Sequence, residues 1–429
     1  MKRRAEKARV GQVPEQVGVD EVARQAVLRL VAGVVGAKQL LLEWIQAVGL
    51  RVLEEVLADE AVALAGPKGK HQADRAANHW GTAAAELVLG GRKIQVHRPR
   101  VRSREGRELP LPSVSAFRRV DPLSGRVLQQ IVLGVTTRGY EASLERAPSG
   151  VVSRGTSRSA VSRHLCTRMR GRLTAALSRD LSTESFLVLM LDGIVIAEQS
   201  ILVALGITAD GSKKVLGLRQ GTTENSAVCS ALLSDLLERG LRVQGRLLVV
   251  LDGAKGLRKA VQSVFGEQAV VQRCQFHKRR NVVAHLPELL RARVDRLMRE
   301  AYAEQDVALA RRRLQSLHTW LDREGHQGAA ASLQEGLEET LTVVRLRLPA
   351  TLRRTLRSTN PIENLLGAVR RLVRRIKRWR GGDMVYRWSA TALFEAEQRF
   401  RRIKGHDDLP KLAAALLDLP SIDAAGQAA

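Results

Sequence analysis

Five short apolar runs between residues 186 and 273 constrain this chain more than any other feature. FLVLMLDGIVIAE, SILVALGITADG and KKVLGLRQG follow one another, and RLLVVLDG and AVVQRCQF come after them, each preceded by a helical stretch. Apolar runs of this length, bounded by turn residues, predict strands. Asp210 and Gly211 between the second and third runs are a hairpin signal. Thr223 is placed to cap a helix running to Gly240, and a second helix is expected over about 254–264. Three antiparallel strands, a helix, a strand, a helix and a strand predict an α/β sheet of defined order.

The flanking sequence is largely helical. Residues 19–65 carry apolar positions at helical spacing, among them Val27, Leu28, Leu30, Val31, Leu40, Leu41, Trp44 and Ile45, and predict two helices. Gly66, Pro67, Lys68 and Gly69 end them, and ELVLGGRKIQVHRPRVR then predicts a hairpin with basic arms about Gly90 and Gly91. Residues 122–180 read as helical, with a break at Pro148, Ser149 and Gly150. In the helix that follows, capped by Thr156 or Ser157, the residues Arg158, Ser162, Arg163 and Arg168 are polar while Ala160, Val161 and Leu165 serve packing. The pattern fits the second helix of a helix-turn-helix entering a major groove, and equally an amphipathic helix with a solvated basic face. Helices rich in Arg, Leu, Ala and Glu occupy 278–348, a basic helix is expected over 361–380, another over 384–402, and DAAGQAA reads as a frayed tail. The expected divisions are 1–120, 121–184, 185–277, 278–348, 349–410 and a tail at 411–429.

Charge narrows the class of partner. Lys and Arg number 70 against 44 Asp and Glu, a formal charge of +26. Such an excess predicts a polyanionic partner, and 45% hydrophobic residues exclude a wholly disordered basic chain. Cys166, Cys229 and Cys274 form no CxxC pair, which argues against a disulfide scaffold. The basic start MKRRAEKARVGQVPEQ lacks the apolar run of a signal peptide, and no segment approaches the roughly 18 apolar residues of a membrane span. The expectation is a soluble, cytoplasmic protein without a membrane partner. No GxxxxGK[ST] loop is present, so no nucleotide cofactor is expected.

Three carboxylates are the candidates for chemistry. Asp192 ends FLVLML and Asp252 ends RLLVVL, each followed by Gly, so both are expected at ends of buried strands. If those strands are parallel neighbours, the two side chains converge on one hard cation through oxygen ligands; taken singly, each Asp-Gly is ordinary turn chemistry. Glu363, the only carboxylate between Pro349 and Gly382, lies in RSTNPIENLLGAVRRLVRRIKRWR. Asn360 as cap and Pro361 at the first helical position would make it part of a capping arrangement. Alternatively it is a metal ligand at one end of a phosphate-binding track made by Arg370, Arg371, Arg374, Arg375, Lys377, Arg378 and Arg380.

Asp192 in LDG, the GITADGSKKVLGL pair, Asp252 in VVLDGAKGL, VQRCQFHKRRN and STNPIEN together resemble the transposases of the IS256 family, relatives of the Mutator elements. The resemblance spans about residues 80–410. It implies an RNase H-like catalytic core with an Asp-Asp-Glu triad at Asp192, Asp252 and Glu363, interrupted by an all-α insertion over roughly 278–348, behind an N-terminal helical DNA-binding region. It further implies two Mg²⁺ ions, replaceable by Mn²⁺, on those three carboxylates. They would serve strand cleavage at terminal inverted repeats and strand transfer into target DNA by direct transesterification. The implied partner is double-stranded DNA, with a homodimer or larger assembly on it. A nuclease without strand transfer and a non-catalytic DNA-binding regulator are the alternatives.

Around this triad, Cys274 and His277 form a CxxH expected to support the active site; a zinc site would need two further ligands, and none is spaced nearby. Arg279, Arg280 and Asn281 are candidates for phosphate contact or a solvated basic turn. Trp320, in the insertion, is a candidate for base stacking or for core packing.

Overall fold

The computed structural model describes residues 47–69, 75–89, 92–119, 125–144, 151–155, 157–221 and 225–419. The chain divides into two compact units, residues 1–165 and 166–429. Of the two helices expected over 19–65, the part described is α1, residues 47–65; the earlier one lies outside the described residues.

In the first unit α1 buries Leu53, Leu57, Ala61 and Ala65, one residue per turn on a single face. It ends at Gly66, whose φ of 72° suits a residue without a Cβ. The predicted hairpin is present as β1 (Ala77–Leu89) and β2 (Arg92–Ser103), antiparallel with Leu89 opposite Arg92. β3 (Glu108–Leu109) and β4 (Ser153–Gly155) both pair with the other edge of β2. Leu87, Ile94, Val96 and Val101 join Leu57 and Val114, on α2 (Pro112–Arg119), in one core. After α3 (Gly125–Leu133) and β4 the chain enters α4 (Arg158–Leu177), within which the two units divide.

The helix-turn-helix expectation needs correction. Directly ahead of α4 stands β4, and among the described residues no helix lies a three- or four-residue turn before it. The extended segment is held because the edge of β2 satisfies its backbone, with Gln95 N–H donating to Val152 O at 3.0 Å. The amphipathic helix itself is as expected: Ser157 Oγ accepts from Ala160 N at 3.3 Å, Val161 and Leu165 are buried, and Arg158, Ser162, Arg163 and Arg168 lie on the exposed face.

The second unit contains the predicted sheet. β5 (Phe186–Ile196), β6 (Gln199–Thr208) and β7 (Lys213–Gln220) are antiparallel; β8 (Leu247–Leu251) and β9 (Ala269–Arg273) run parallel to β5, in the order β7-β6-β5-β8-β9. The β6–β7 hairpin turns through Gly211, φ 85°, as the Asp-Gly signal requires. Between β7 and β8 lies α5 (Ser226–Glu238), capped by Asn225, which accepts from Ala227 N; Thr223, the expected cap, lies outside the described residues. α6 (Lys255–Phe265) connects β8 to β9.

Strand alternation sends each sheet face to a different core. Leu189, Leu191, Leu247, Val249 and Leu251 pack under α5 and α6. Val188, Met190, Ile194, Leu248 and Val250 face the other way, toward the C-terminal helices. A helical run follows β9: α7 (Gln275–Ala284), α8 (Glu288–Ala303), α9 (Val307–Arg323), α10 (Gln327–Gln334), α11 (Leu337–Thr340) and α12 (Thr342–Arg345). These carry their own core, with Val294, Leu314, Leu321 and Leu333 at its centre, so the expected helical insertion is a packed body. α13 (Ala350–Leu356), α14 (Asn360–Val373), α15 (Gly382–Glu397) and α16 (Leu409–Leu417) then cover the open face of the sheet.

Two boundaries differ from expectation. The basic helix stops at Val373 rather than near 380. Beyond it Arg370/Arg374, Arg371/Arg375 and Arg374/Arg378 would be like-charged i,i+4 pairs, each unfavourable by a few tenths of a kcal/mol, with no acid to compensate. At the other end, α16 occupies the start of the expected tail, because Leu409, Leu412 and Leu416 fill the core at helical spacing.

A buried cation ties α7 to the end of α10 within the helical body. Lys278, 1% exposed, donates from Nζ to Ser332 O and Glu335 O at the end of α10. Burial, reinforced by Arg273 nearby, lowers its pKa to about 8. Lys278→Met conserves volume but takes the ammonium donor from Ser332 O and leaves Glu335 O with Arg273 Nη1 alone, and unfolding free energy is expected to fall by about 1–3 kcal/mol. Denaturant titration checks this, and a loss below about 0.5 kcal/mol would show the clamp to be idle.

Candidate active site

The three carboxylates are assembled by register and face. β5 and β8 pair in parallel up to Leu191 opposite Leu251, so Asp192 and Asp252 are the next residues on adjacent strands. By alternation each belongs to the face of Met190 and Val250, the face that α14 covers through Ile362, Leu365, Leu366 and Val369. Glu363 sits on the first turn of that helix. One expectation is corrected: Asp192 lies inside β5, opposite Val203 of β6, and only β8 ends at the acid. β5 continues because Ile194 and Ile196 after the Gly still have core positions to fill.

Each acid has one oxygen anchored. Gly193 N–H donates to Asp192 Oδ1 at 2.8 Å, and Ala254 N–H to Asp252 Oδ1 at 2.9 Å. Turn chemistry therefore holds at Asp252 alongside the site: Gly253 has φ 109°, and a Cβ there would collide with the Arg273 guanidinium. Glu363 Oε1 accepts from Thr359 Oγ1. The second oxygen of each carboxylate has no hydrogen-bond donor, and no Lys or Arg forms an ion pair with any of the three, among the described residues. In a chain of charge +26, three acids on one side of the sheet with no Lys or Arg paired to them, and close enough that Asp252 and Glu363 act on Asp192, are oxygen donors of the type a hard divalent cation takes.

The capping alternative for Glu363 does not fit. The residue ahead of the helix is Thr359, Asn360 is already helical, and no side chain caps the end. Instead the completely buried Thr359 hydroxyl bonds the Glu363 carboxylate one turn on and lies 3.4 Å from both Cys274 Sγ and His277 Nδ1. Cys274 Sγ also accepts from the backbone N–H groups of His277 and Thr359, each at 3.5 Å. His277 Nε2 stands 3.8 Å from Glu363 Oε1. Thiol, imidazole and carboxylate atoms of Cys274, His277 and Glu363 thus fall within 4.8 Å of one another, so the CxxH has a third neighbour that linear spacing did not show. Burial alone would push the Cys274 thiol up, but the donors from His277 and Thr359 hold it below its ordinary value. Contact with Cys274 raises the His277 pKa against the effect of burial, helped by Glu363 and Asp252. Thr359 carried no role in the sequence reading; the signal for it was its position four residues before Glu363, one helical turn away.

Burial raises the pKa of Asp192 to about 6, against the Gly193 bond, with the charges of Asp252 and Glu363 adding to the rise. Without divalent cations, the folded chain therefore holds this proton more tightly than the unfolded chain. The associated stability is greatest in acid, below the ordinary value of 3.8, and is lost as pH climbs through about 6. Partial solvent access discounts the effect to about 2 kcal/mol. In chelator, Asp192→Asn is expected to be more stable than wild type at pH 7.5, with the gap closing by pH 4.5. A gap independent of pH in thermal melts would refute the assignment.

Other predicted positions fall in two groups. Arg280, Asn281, Arg370, Arg371, Arg374, Arg375, Lys377 and Arg378 are exposed. Arg279 is engaged by Asp295 on α8 through bonds of 2.7 and 2.9 Å, which departs from a free phosphate ligand. Trp320 packs at the edge of the insertion core, and one face of its ring is taken by the Arg293 guanidinium, 4.8 Å from the centroid. Among the described residues no helix is long and apolar enough to cross a membrane.

Comparison with known proteins matches residues 25–402 to the family model described as transposase, Mutator family. The transposase of insertion sequence IS6120 from Mycolicibacterium smegmatis is 31% identical over 244 residues, 55% of this chain and 72% of that protein. The IS256 transposase of transposon Tn4001 from Staphylococcus aureus is 29% identical over 279 residues, 63% and 69% of the two chains. The ISRM5 transposase of Rhizobium meliloti is 30% identical over 334 residues, 75% and 79%.

Proposed function

The chain belongs to the Mutator family of transposases, and from that membership we propose that it cuts the ends of an insertion sequence and joins them to target DNA. The observation that carries the reading is the placement of Asp192, Asp252 and Glu363 on one sheet face and the helix that covers it, each with one anchored and one unpartnered oxygen. The strand order β7-β6-β5-β8-β9, with an acid on the first strand, another after the fourth and a third on a helix beyond an insertion, supports an RNase H-like core.

These three carboxylates suit Mg²⁺, two ions in this proposal, with Mn²⁺ as a substitute. Bound there, the metal supplies Lewis-acid stabilisation to phosphoryl transfer. The chain's own residues do the rest. Asp192 and Asp252 are held by their backbone bonds, and Thr359 holds Glu363, so the ligand oxygens are preorganised. Cys274 is buried and hydrogen-bonded, a supporting group rather than a nucleophile. Water attacks first, to nick the strand; the freed 3′-hydroxyl then attacks target DNA. Neither step needs ATP or a covalent protein–DNA intermediate.

The exposed basic residues of α4 and the Arg370–Arg380 segment are the proposed DNA contacts, with binding that falls steeply with salt. Bringing two element ends together calls for a dimer or larger assembly on DNA. The test is incubation with labelled duplex carrying the inverted repeats that flank the gene, with Mg²⁺. Cleaved and joined products are expected. Cut products alone would assign a nuclease, and binding indifferent to Mg²⁺ and Mn²⁺ would assign a regulator.

A further inference from the structure

The segments that position Cys274, His277, Thr359 and Glu363 also line a second, cationic site. Between Cys274 and His277 come Gln275 and Phe276; on either side of Thr359 come Ser358 and Asn360. Gln275 N–H donates to Arg357 O at 3.0 Å, joining the two segments directly. The intervening residues line a cavity of about 80 Å³, together with Arg279, Arg299 and Arg357.

The charge of this cavity is unbalanced. Asp295 accepts from Arg279 and lies 3.1 Å from Arg299 Nε, so one acid serves two guanidinium groups. Arg357 has neither a carboxylate nor a carbonyl bonded to its guanidinium, among the described residues, although it is half-buried. Burial and the nearby Arg354, Arg279 and Arg353 press its pKa below the ordinary value, the mark of a cation placed among cations. Ser358, 4% exposed, presents an Oγ with no hydrogen-bond partner. Three guanidinium groups against one carboxylate, a buried hydroxyl lacking an acceptor and the first residue of α14 at the rim all ask for the same ligand, a compact anion with several acceptor oxygens. Phe276, 46% exposed at the same rim, offers a flat apolar surface next to it.

We propose that this cavity seats a backbone phosphate of the DNA strand running through the acid cluster, next to the bond that is cut, with Arg357 as its principal ligand and Ser358 Oγ donating to it. The inference rests on the DNA-cleavage reading of the acid cluster. Arg357 precedes Thr359 by two residues and Glu363 by six, so a phosphate held here sets the register of the strand relative to the acids.

Equilibrium binding of a precut element-end duplex, measured in chelator across a salt series, tests this without requiring catalysis. Arg357→Gln is expected to weaken binding roughly tenfold and to lower the slope of log affinity against log salt by about 1. Arg357→Lys, which keeps the charge but loses the fork, should fall between, and thermal melting of both should stay within a few degrees of wild type. A neutral methylphosphonate at a single position near the cut should weaken binding by wild type and have no further effect on Arg357→Gln. Equal losses in both proteins at every position, or unchanged affinity in Arg357→Gln, would overturn the assignment. Inorganic phosphate that raises the melting temperature of wild type only, with no methylphosphonate coupling, would assign a free-anion site and overturn the DNA contact. Catalytic failure of the triad would show separately, as binding with Arg357 dependence but no cleavage.

Discussion

Asp192→Ala, Asp252→Ala and Glu363→Ala are each expected to lower strand cleavage by about 10³-fold or more while leaving binding to element-end DNA within about twofold of wild type. Metal-assisted stabilisation of a phosphoryl-transfer transition state amounts to several kcal/mol, and each 1.36 kcal/mol is a factor of ten in rate. The effect on binding is small because the acids repel phosphates; the cationic positions supply affinity. Asp252→Asn is the sharper variant. It retains the shape and the oxygen that accepts from Ala254 N–H, so it removes charge without removing the turn. A cleaving Asp252→Asn would dismiss the triad. Loss of cleavage accompanied by loss of binding and a lowered melting temperature would report damage to the sheet instead, and β8 is buried throughout, so that control belongs in the same experiment.

The parts of this fold that were legible in the sequence are those where one local signal decides. The strand runs were readable because both sheet faces are covered, so β8 is a continuous apolar stretch with no alternation. Gly211, the pairing of β1 with β2 and the helical run of the insertion were readable for similarly local reasons. What was not readable depends on partners remote in sequence. β4 forms only because β2 offers an edge to it, and that replaced the expected short turn before α4. The end of α14 is decided by mutual repulsion among its arginines, and the start of the expected tail became α16 because three leucines find a core. In the site, Asp192, Asp252 and Glu363 stood out as carboxylates next to glycines or amid arginines. Thr359 did not, since a threonine before a helix is ordinary, and only its position against Cys274 and Glu363 makes it distinctive.

That position leads to the second large effect. Thr359→Val removes one hydroxyl from a completely buried site while conserving shape, and is expected to lower cleavage by roughly 10–100-fold, the usual cost of losing an outer partner of a metal ligand. The hydroxyl has one proton, and Glu363 Oε1, acceptor-only when ionised, is where it goes; its lone pairs then face Cys274 and His277. Without it, Glu363 can rotate away on a flexible side chain, whereas the two aspartates keep their backbone donors. The loss should therefore appear chiefly as a higher Mg²⁺ concentration for half-maximal cleavage, with much of the rate regained at saturating metal. Thr359→Ser restores the donor and should return the Mg²⁺ requirement to within about threefold of wild type, although it removes a buried methyl and so costs stability of order 1 kcal/mol. The two readouts move in opposite directions: Val is the better-packed variant and the poorer enzyme, Ser the reverse. If activity instead followed melting temperature across the pair, Thr359 would be a packing residue, and Glu363 would be oriented by the helix alone.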